Sequence, residues 1–304
     1  GLCHCPRFFL PFFLYSLPPQ GAGNTMFSID GQNLKKEGAC VIMKLNVLRA
    51  DPAGNITLFV LDPVEKSRRA DVAAQLMAVP EYKAEQVGFV CTPQEGGDGR
   101  MEMMGGEFCG NATRAFGLLT AKKLGAPAHV RIETSGCDHI VTVDTDLAAG
   151  TSRAEMPLPQ WLKNVEFAGH KGTLVHLGGI AHLVMENVEP SKAVFDQAEP
   201  LFQDIPGLDA YGVIFLDTNT LHMTPLVKVP ATNTLVWEGS CGSGSLASAL
   251  AQSRDMADGT FSRSYIQPAG TVTATAVREG GKVVKTYIGG PVTLGEPFET
   301  EVKG

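Results

Sequence analysis

The sequence predicts an α+β protein that contains two copies of one unit, each of roughly 120 residues. Residues 107–113 (EFCGNAT) have a counterpart in residues 239–245 (GSCGSGS), 132 positions further along the chain. Short apolar or β-branched runs bounded by turn residues predict strands, and a helical pattern follows each Cys-Gly pair. The order of these features is the same in both halves, which indicates an internal repeat.

In each half, predicted strands lie before and after the helix that follows the Cys-Gly pair. In the first half, strands are predicted at 56–60, 86–90 and 130–133, with helices at 70–77 and after Cys109 as far as the turn at 125–127. In the second half, strands are predicted at 183–185 and 211–215, with helices at 193–202 and after Cys241. Periodicity does not predict the strand order.

The composition limits the class of protein. With 25 Lys and Arg against 32 Asp and Glu, the net charge of -7 argues against nucleic acid or an anionic membrane as a partner. A hydrophobic fraction of 44% is enough to build a core, and no apolar run reaches the roughly 18 residues that span a bilayer. The seven cysteines are unevenly spaced, so a reduced, cytoplasmic protein is expected rather than a disulfide framework.

The repeat also suggests domain boundaries. Residues 1–42 lack the repeat and are expected to be a disordered extension. Residues 43–163 with 290–304 form the predicted N-terminal domain, and residues 164–289 form the predicted C-terminal domain. Cys3-His4-Cys5 has no distant matching pair, and the other histidines lack metal-ligand spacing, so no metal site is expected.

Cys109 and Cys241 are the candidate catalytic residues because each precedes a predicted helix. The first amides of a helix have no intrahelical acceptor and favour a thiolate or a bound carboxylate. Gly110 and Gly242 leave that backbone open, and Asn111 can add a donor. If the two copies face each other, the two thiols flank a substrate from opposite sides, which is the arrangement that stereoinversion requires.

Three other residues, together with Ser243 as a helix cap, are candidates for binding the substrate. Glu85 and Glu238 could each accept a hydrogen bond from a substrate side chain, although a solvated surface position is the alternative for both. His182 follows a Gly-Gly pair at the position that corresponds to Asn55 in the first half, and a structural role is its alternative. For Cys91 and Cys137, burial as small hydrophobic residues is the favoured interpretation.

Residues 108–113 and 240–244, with Gly54-Asn55, resemble the signatures of the diaminopimelate epimerase fold family. The resemblance covers residues 43–304. It implies two pseudo-symmetric domains, each a β-sheet wrapped around a central helix, with the active site between them. It also implies catalysis without pyridoxal phosphate or metal, in which one cysteine acts as a thiolate base and the other as a thiol acid. Asn55, Gly110, Asn111, Gly242 and Ser243 fall at substrate-binding positions on this resemblance.

Within that family, the chain is most similar to the histidine racemases. The segments at 54–58, 85–89, 106–113, 135–137 and 237–244 all resemble that subgroup. Segment 235–241 lacks the arginine, and segment 101–106 the asparagine, that hold a distal carboxylate in diaminopimelate epimerases. A cofactor-independent amino-acid racemase that acts on histidine is therefore expected. Diaminopimelate epimerase and a non-catalytic thiol-switch binding protein are the alternatives. The expected partner is a small-molecule amino acid, and a homodimer is left open.

Overall fold

The computed structural model describes residues 42–303, and the fold is mixed α+β with sheet as its main component. The strands of the first half are β1 (Ile42–Asp51), β2 (Thr57–Val60), β3 (Gln86–Cys91), β4 (Gly99–Met103), β5 (His129–Thr134), β6 (Val141–Asp146) and β7 (Thr151–Met156). Those that follow are β8 (Trp161–Phe167), β9 (His170–His176), β10 (Ile180–Glu186), β11 (Ala210–Leu216), β12 (Met223–Val229), β13 (Thr234–Trp237), β14 (Gly259–Gln267), β15 (Gly270–Glu279), β16 (Lys282–Pro291), β17 (Thr293–Leu294) and β18 (Phe298–Lys303).

Five α-helices lie between these strands. They are α1 (Arg69–Met77), α2 (Gly110–Lys123), α3 (Lys192–Ala198), α4 (Pro200–Gln203) and α5 (Gly242–Gln252). The predicted helix at 193–202 divides into α3 and α4 at Pro200, which has no N–H to continue the hydrogen-bond ladder. None of the helices described by the structure is long and apolar enough to cross a membrane.

The strands form two sheets. The larger sheet has twelve strands in the order β14-β15-β16-β7-β6-β5-β4-β3-β2-β1-β17, with β18 also paired to β1. The smaller sheet has the order β13-β12-β11-β10-β9-β8. The larger sheet crosses from one half of the chain to the other where β7 pairs with β16 in antiparallel register.

The same succession of strand pairings occurs in both halves of the chain. β1 and β2 are antiparallel, β2 and β3 are parallel, and β3 and β4 are antiparallel. In the second half, the pairs β9–β10, β10–β11 and β11–β12 repeat this succession. The predicted strands at 86–90 and 211–215 fall on β3 and β11, which occupy corresponding places.

The helices α2 and α5 lie in the interior. Almost every residue of α2 from Gly110 to Ala121 is buried, and so is every residue of α5 from Ser243 to Ala251. A helix that is enclosed on all sides must be small or apolar around its whole circumference, and runs such as Leu246-Ala247-Ser248-Ala249 meet that requirement. Side chains of both helices belong to one continuous apolar core.

Two smaller cores cover the outer faces of the sheets. α1 packs against β1, β2 and β3, and α3 and α4 pack against the face of the smaller sheet that is opposite α5. The strand β10 is therefore buried on both faces. Of the predicted extension 1–42, only Ile42 lies within the described residues, where it opens β1 and pairs with Lys303.

Candidate active site

Cys109 is the N-cap of α2, as the sequence predicts. Its backbone is extended (φ -130°, ψ 111°), and its Sγ accepts a hydrogen bond from the Ala112 N–H at 3.4 Å. Its carbonyl oxygen accepts from both the N–H and the hydroxyl of Thr113, at 2.9 and 2.8 Å. These bonds fix the thiol at the positive end of the helix.

Cys241 occupies the same place at the start of α5. Its backbone angles (φ -124°, ψ 108°) match those of Cys109, and its Sγ accepts from the Gly244 N–H at 3.3 Å. Its carbonyl accepts from the N–H and the hydroxyl of Ser245, at 3.0 and 2.7 Å. The two cysteines thus have equivalent backbone environments, as expected from the repeat.

The starts of α2 and α5 meet around Ile288 of β16. A Cβ added to Gly110 would lie 2.7 Å from the Ile288 Cδ1, and a Cβ added to Gly242 would lie 2.8 Å from the same atom. The side-chain amide nitrogen of Asn111 (Nδ2) lies 3.6 Å from the position that this Gly242 Cβ would take. A side chain at either position would displace Ile288, so glycine lets both helix starts pack closely against β16.

A second close approach joins the loops beside the site. A Cβ added to Gly54, which has a φ of +96°, would lie 2.4 Å from the Ala269 Cβ. A Cβ added to Gly270 would lie 2.3 Å from the Ala53 carbonyl oxygen. The loop before β2 and the loop before β15 therefore pack backbone against backbone.

Polar side chains surround the Cys109 sulfur. The buried Gln86 donates from Nε2 to Cys109 Sγ at 3.4 Å and to Asn55 Oδ1 at 2.9 Å. The Asn55 Oδ1 lies 3.9 Å from Cys109 Sγ, and its Nδ2 donates to Glu85 Oε2 at 2.9 Å. Glu85, Asn55 and Gln86 thus form a chain of hydrogen bonds that ends at the thiol.

A different set of groups surrounds the Cys241 sulfur. The His182 Nε2 lies 2.8 Å from the Ser243 hydroxyl, which lies 3.6 Å from Cys241 Sγ. The carboxyl of Glu238 also acts on the Cys241 thiol and raises its pKa. Gln267 completes the set, because its Oε1 accepts from the Cys241 N–H at 2.6 Å.

Burial raises the pKa of both thiols, so the expectation of lowered values from the helix starts alone is wrong. For Cys109, burial raises the pKa, and the N–H groups of Ala112 and Gln86 lower it by a smaller amount. For Cys241, only 1% exposed, burial and the Glu238 carboxylate place the pKa well above 9.0. The positive helix ends are outweighed because the thiols lie away from water.

Two carboxyls approach each other beside the thiols. Burial, together with the charge of Glu85, raises the pKa of Glu238 to about 7. The Oε2 of Glu238 is buried without a hydrogen-bond partner. Burial also raises the pKa of Glu85. A buried carboxyl with a free acceptor atom can receive an N–H from a bound molecule.

All ten predicted site residues therefore lie around the two helix starts. Cys109 is joined to Asn55 and, through it, to Glu85; Cys241 is joined to Ser243, His182 and Glu238; and Gly110, Asn111 and Gly242 lie where the helices meet. The sequence interpretation missed the roles of Gln86 and Gln267 as direct partners of the cysteines. Both lie next to predicted motifs, but an amide side chain in a strand gives no signal of its contacts.

One group of potential metal ligands lies apart from the thiol pair. Within the described residues, Cys137, Asp138 and His139 place potential ligand atoms within 4.8 Å of one another. The Cys137 Sγ lies 3.4 Å from the His139 Nδ1, which lies 3.0 Å from Asp138 Oδ1. These consecutive residues follow β5 and bond to each other, a proximity that the sequence interpretation did not predict.

Comparison with known proteins gives concordant matches. Residues 44–296 match the family described as histidine racemase CntK N-terminal domain. A histidine racemase from Fusobacterium nucleatum is 31% identical over 68% of this chain and 80% of its own length. One from Staphylococcus aureus is 28% identical over 80% of this chain and 92% of its own length. A predicted epimerase from Pseudomonas aeruginosa has a similar fold, with a TM-score of 0.59 and 11% identity over 84% of this chain and 99% of that one.

Proposed function

Because this chain belongs to the histidine racemase family, we propose that it interconverts L- and D-histidine with Cys109 and Cys241 as its two acid/base groups. The observation that carries the proposal is that two cysteines cap two buried helices in the same way, at the point where those helices meet. A substrate held between the helix starts would have one thiol on each side of its α-carbon. This is the arrangement that a two-base racemisation needs.

The hydrogen-bond partners support different resting states for the two cysteines. The Cys109 sulfur receives N–H donors from Gln86 and Ala112, and donors stabilise a thiolate. The Glu238 carboxylate raises the pKa of the Cys241 thiol, which favours the protonated thiol. Cys109 then removes the α-proton, the electron pair of the broken C–H bond remains on the substrate, and Cys241 donates its proton to the opposite face. In the reverse direction the roles are exchanged.

The helix starts also provide for the substrate carboxylate. As the C–H bond breaks, negative charge moves into the carboxylate, and preorganised N–H groups stabilise it. The first amides of α2 and α5 and the side-chain amide of Asn111 lie where the two helix starts meet around Ile288. Gly110 and Gly242 allow that close packing, and the N–H groups of the helix starts are the donors available to a bound carboxylate.

The two carboxyls support a substrate side chain that donates hydrogen bonds. Glu238 has a buried oxygen without a partner, and Glu85 lies close enough to influence its pKa. An imidazole ring can donate an N–H to one of them. The absence of an arginine from segment 235–241 disfavours a substrate with a distal carboxylate, such as diaminopimelate.

We also propose that the repeated succession of strand pairings reflects two pseudo-symmetric units of the diaminopimelate epimerase type. In this proposal residues 43–163 with 290–304 form one unit and residues 164–289 the other, joined by the β7–β16 pairing. Catalysis would use the thiols in place of pyridoxal phosphate. The need to keep both thiols reduced supports a cytoplasmic location.

The test is incubation with single L-amino acids in deuterium oxide, without added pyridoxal phosphate. Chiral separation and mass analysis would follow the D-enantiomer and the α-deuterium label. We expect both to appear with histidine, and far more slowly with alanine or meso-diaminopimelate. Faster turnover of diaminopimelate would make this chain a diaminopimelate epimerase. Absence of α-deuterium from every amino acid would favour a thiol-switch binding protein.

A further inference from the structure

Arg114 is a fully buried cation one helical turn beyond Cys109. It is 0% exposed and is the largest of the fully buried side chains. Its Nε donates to Asn111 Oδ1 at 3.1 Å, and its Nη1 donates to the carbonyl oxygens of Gly290 and Pro291 at 3.1 and 3.0 Å. All of these acceptors are neutral.

The charge of Arg114 has no carboxylate partner within 4.0 Å among residues 42–303. Its Nη2 has no hydrogen-bond acceptor. Burial lowers the pKa of Arg114 to about 10, so the group remains charged at neutral pH. An isolated buried charge is costly, and such groups are usually paired. The charges that Cys109 and Asp51 can carry both raise the pKa of Arg114.

Arg114 also fixes the orientation of Asn111. A guanidinium N–H can only donate, so Asn111 presents its carbonyl oxygen to Arg114 and its NH₂ group to the other side. That NH₂ group points toward the start of α5 and lies 3.6 Å from the position of a Gly242 Cβ. The second half of the chain has Leu246 at the corresponding position, so the buried cation belongs to the Cys109 half alone.

We propose that Arg114 is a positioning residue that turns the Asn111 amide toward the substrate and supplies the positive charge that stabilises a thiolate on Cys109. This inference rests on the proposed function for its catalytic consequence but not for its effect on the thiol. It gives a physical cause for the difference between the two cysteines. Two carboxyls act on Cys109 in the opposite sense to Arg114. The charge of Glu107 raises the pKa of the thiol, and Glu85 is joined to the site by its hydrogen bond from Asn55.

The first readout is the rate of iodoacetamide alkylation at Cys109, measured by peptide mapping from mildly acidic to alkaline pH. Arg114→Gln removes the charge and keeps an N–H donor, and we expect alkylation near neutral pH to slow by about tenfold, which is one pKa unit. Arg114→Lys keeps the charge and should restore the native profile to within about twofold. Arg153→Met, which removes a half-exposed arginine of β7, is the control and should change nothing.

The second readout separates the charge from the orientation of Asn111. Asn111→Ala keeps the cation, so the Cys109 alkylation profile should stay native while kcat/KM for histidine falls about tenfold or more. An unchanged profile in folded Arg114→Gln, or a tenfold slower alkylation in Asn111→Ala, would overturn the proposal. If Arg114→Gln does not fold, Arg114→Met takes its place, because it also removes the charge and fills similar space; an unchanged alkylation profile in that folded variant would overturn the proposal. Alkylation does not depend on turnover, so a failure to racemise histidine leaves this result readable.

Discussion

The carboxyl of Glu238 raises the pKa of the Cys241 thiol, three residues later in the chain, whereas the Cys109 sulfur receives the side-chain N–H of Gln86 at 3.4 Å. The two sulfurs therefore differ in what surrounds them, although their backbones are equivalent. Cys109 receives N–H groups from Gln86 and Ala112, and Cys241 receives one from Gly244 and is influenced by a carboxylate.

Replacement of either cysteine should abolish racemisation. Cys109→Ala and Cys241→Ala should each reduce it by at least about 10²-fold, the lower limit for a general acid or base. In Cys241→Ala the Cys109 thiolate remains, so one enantiomer should still exchange its α-proton with solvent deuterium. Cys91→Ala, in β3, is the matched control and should keep native activity. Near-native racemisation in either site variant would contradict the two-base mechanism.

We predict that Glu85 accepts a hydrogen bond from the substrate side chain. Glu85→Gln replaces an acceptor that can be charged with a neutral amide, and a hydrogen bond to a charged group contributes about 1.5–3 kcal/mol. We therefore expect kcat/KM for histidine to fall by about tenfold or more, with a smaller effect on any alanine turnover. The exposed Glu81→Gln is the control. Equal losses for histidine and alanine would mean that Glu85 does not contact the imidazole.

Glu107 should make the protein less stable as the pH rises. Burial raises its pKa from 4.5 to about 7, so the folded state binds a proton that the unfolded state has released between those values. Stability is therefore lost across this window, by at most about 3 kcal/mol. Glu107→Gln should become progressively more stable than the native protein from pH 4.5 to about 7, as measured by urea unfolding.

The stability of Glu107→Gln must be compared with that of the native protein at each pH, because His182 changes the stability with pH in the opposite direction. Burial lowers its pKa to about 3, so its contribution to stability is lost as the pH falls below 6.5. The pH dependence of the native protein's stability therefore combines two opposite contributions. A difference between native protein and variant that does not change with pH would show that Glu107 is ionised normally.

Gly242→Ala should impair the site through one identified atom. The new Cβ would lie 2.8 Å from Ile288 Cδ1, so the start of α5 must shift and racemisation should fall. Ile288→Val removes that Cδ1, and the double variant should regain much of the activity. Gly110→Ala is the matched comparison, because its Cβ would also lie 2.5 Å from Met156 Sδ, and Ile288→Val should not rescue it. Activity assays and thermal unfolding of the three single variants and the two double variants test this.

The sequence predicted the local features of the site well. The Cys-Gly pairs identified both helix starts, because a capping side chain and a small residue after it have a local physical cause. The strand patterns at 86–90 and 211–215, offset by about 125 residues, fell on β3 and β11, which occupy corresponding places. Pro200 could have predicted the division of this helix, but apolar residues at helical spacing on both sides of it favoured a single helix.

Features that depend on distant contacts could not be predicted. The raised pKa values of Cys109 and Cys241 follow from burial by both halves of the chain, which a helix-start argument omits. Gln86 and Gln267 reach the cysteines across 23 and 26 residues. Arg114 is the one charged residue among residues 110–121 of the sequence, but its burial could not be predicted, because a charged helix residue ordinarily faces solvent.

On the proposed two-fold relationship, each repeat contains one helix-start cysteine, and one cysteine cannot both remove and replace a proton on opposite faces. A pair of identical repeats would complete the site with identical thiols on both sides. Because the two halves of this chain differ in sequence, the Cys109 half contains the buried Arg114 and the Cys241 half contains the buried Glu238, so the two thiols need not be equivalent acids.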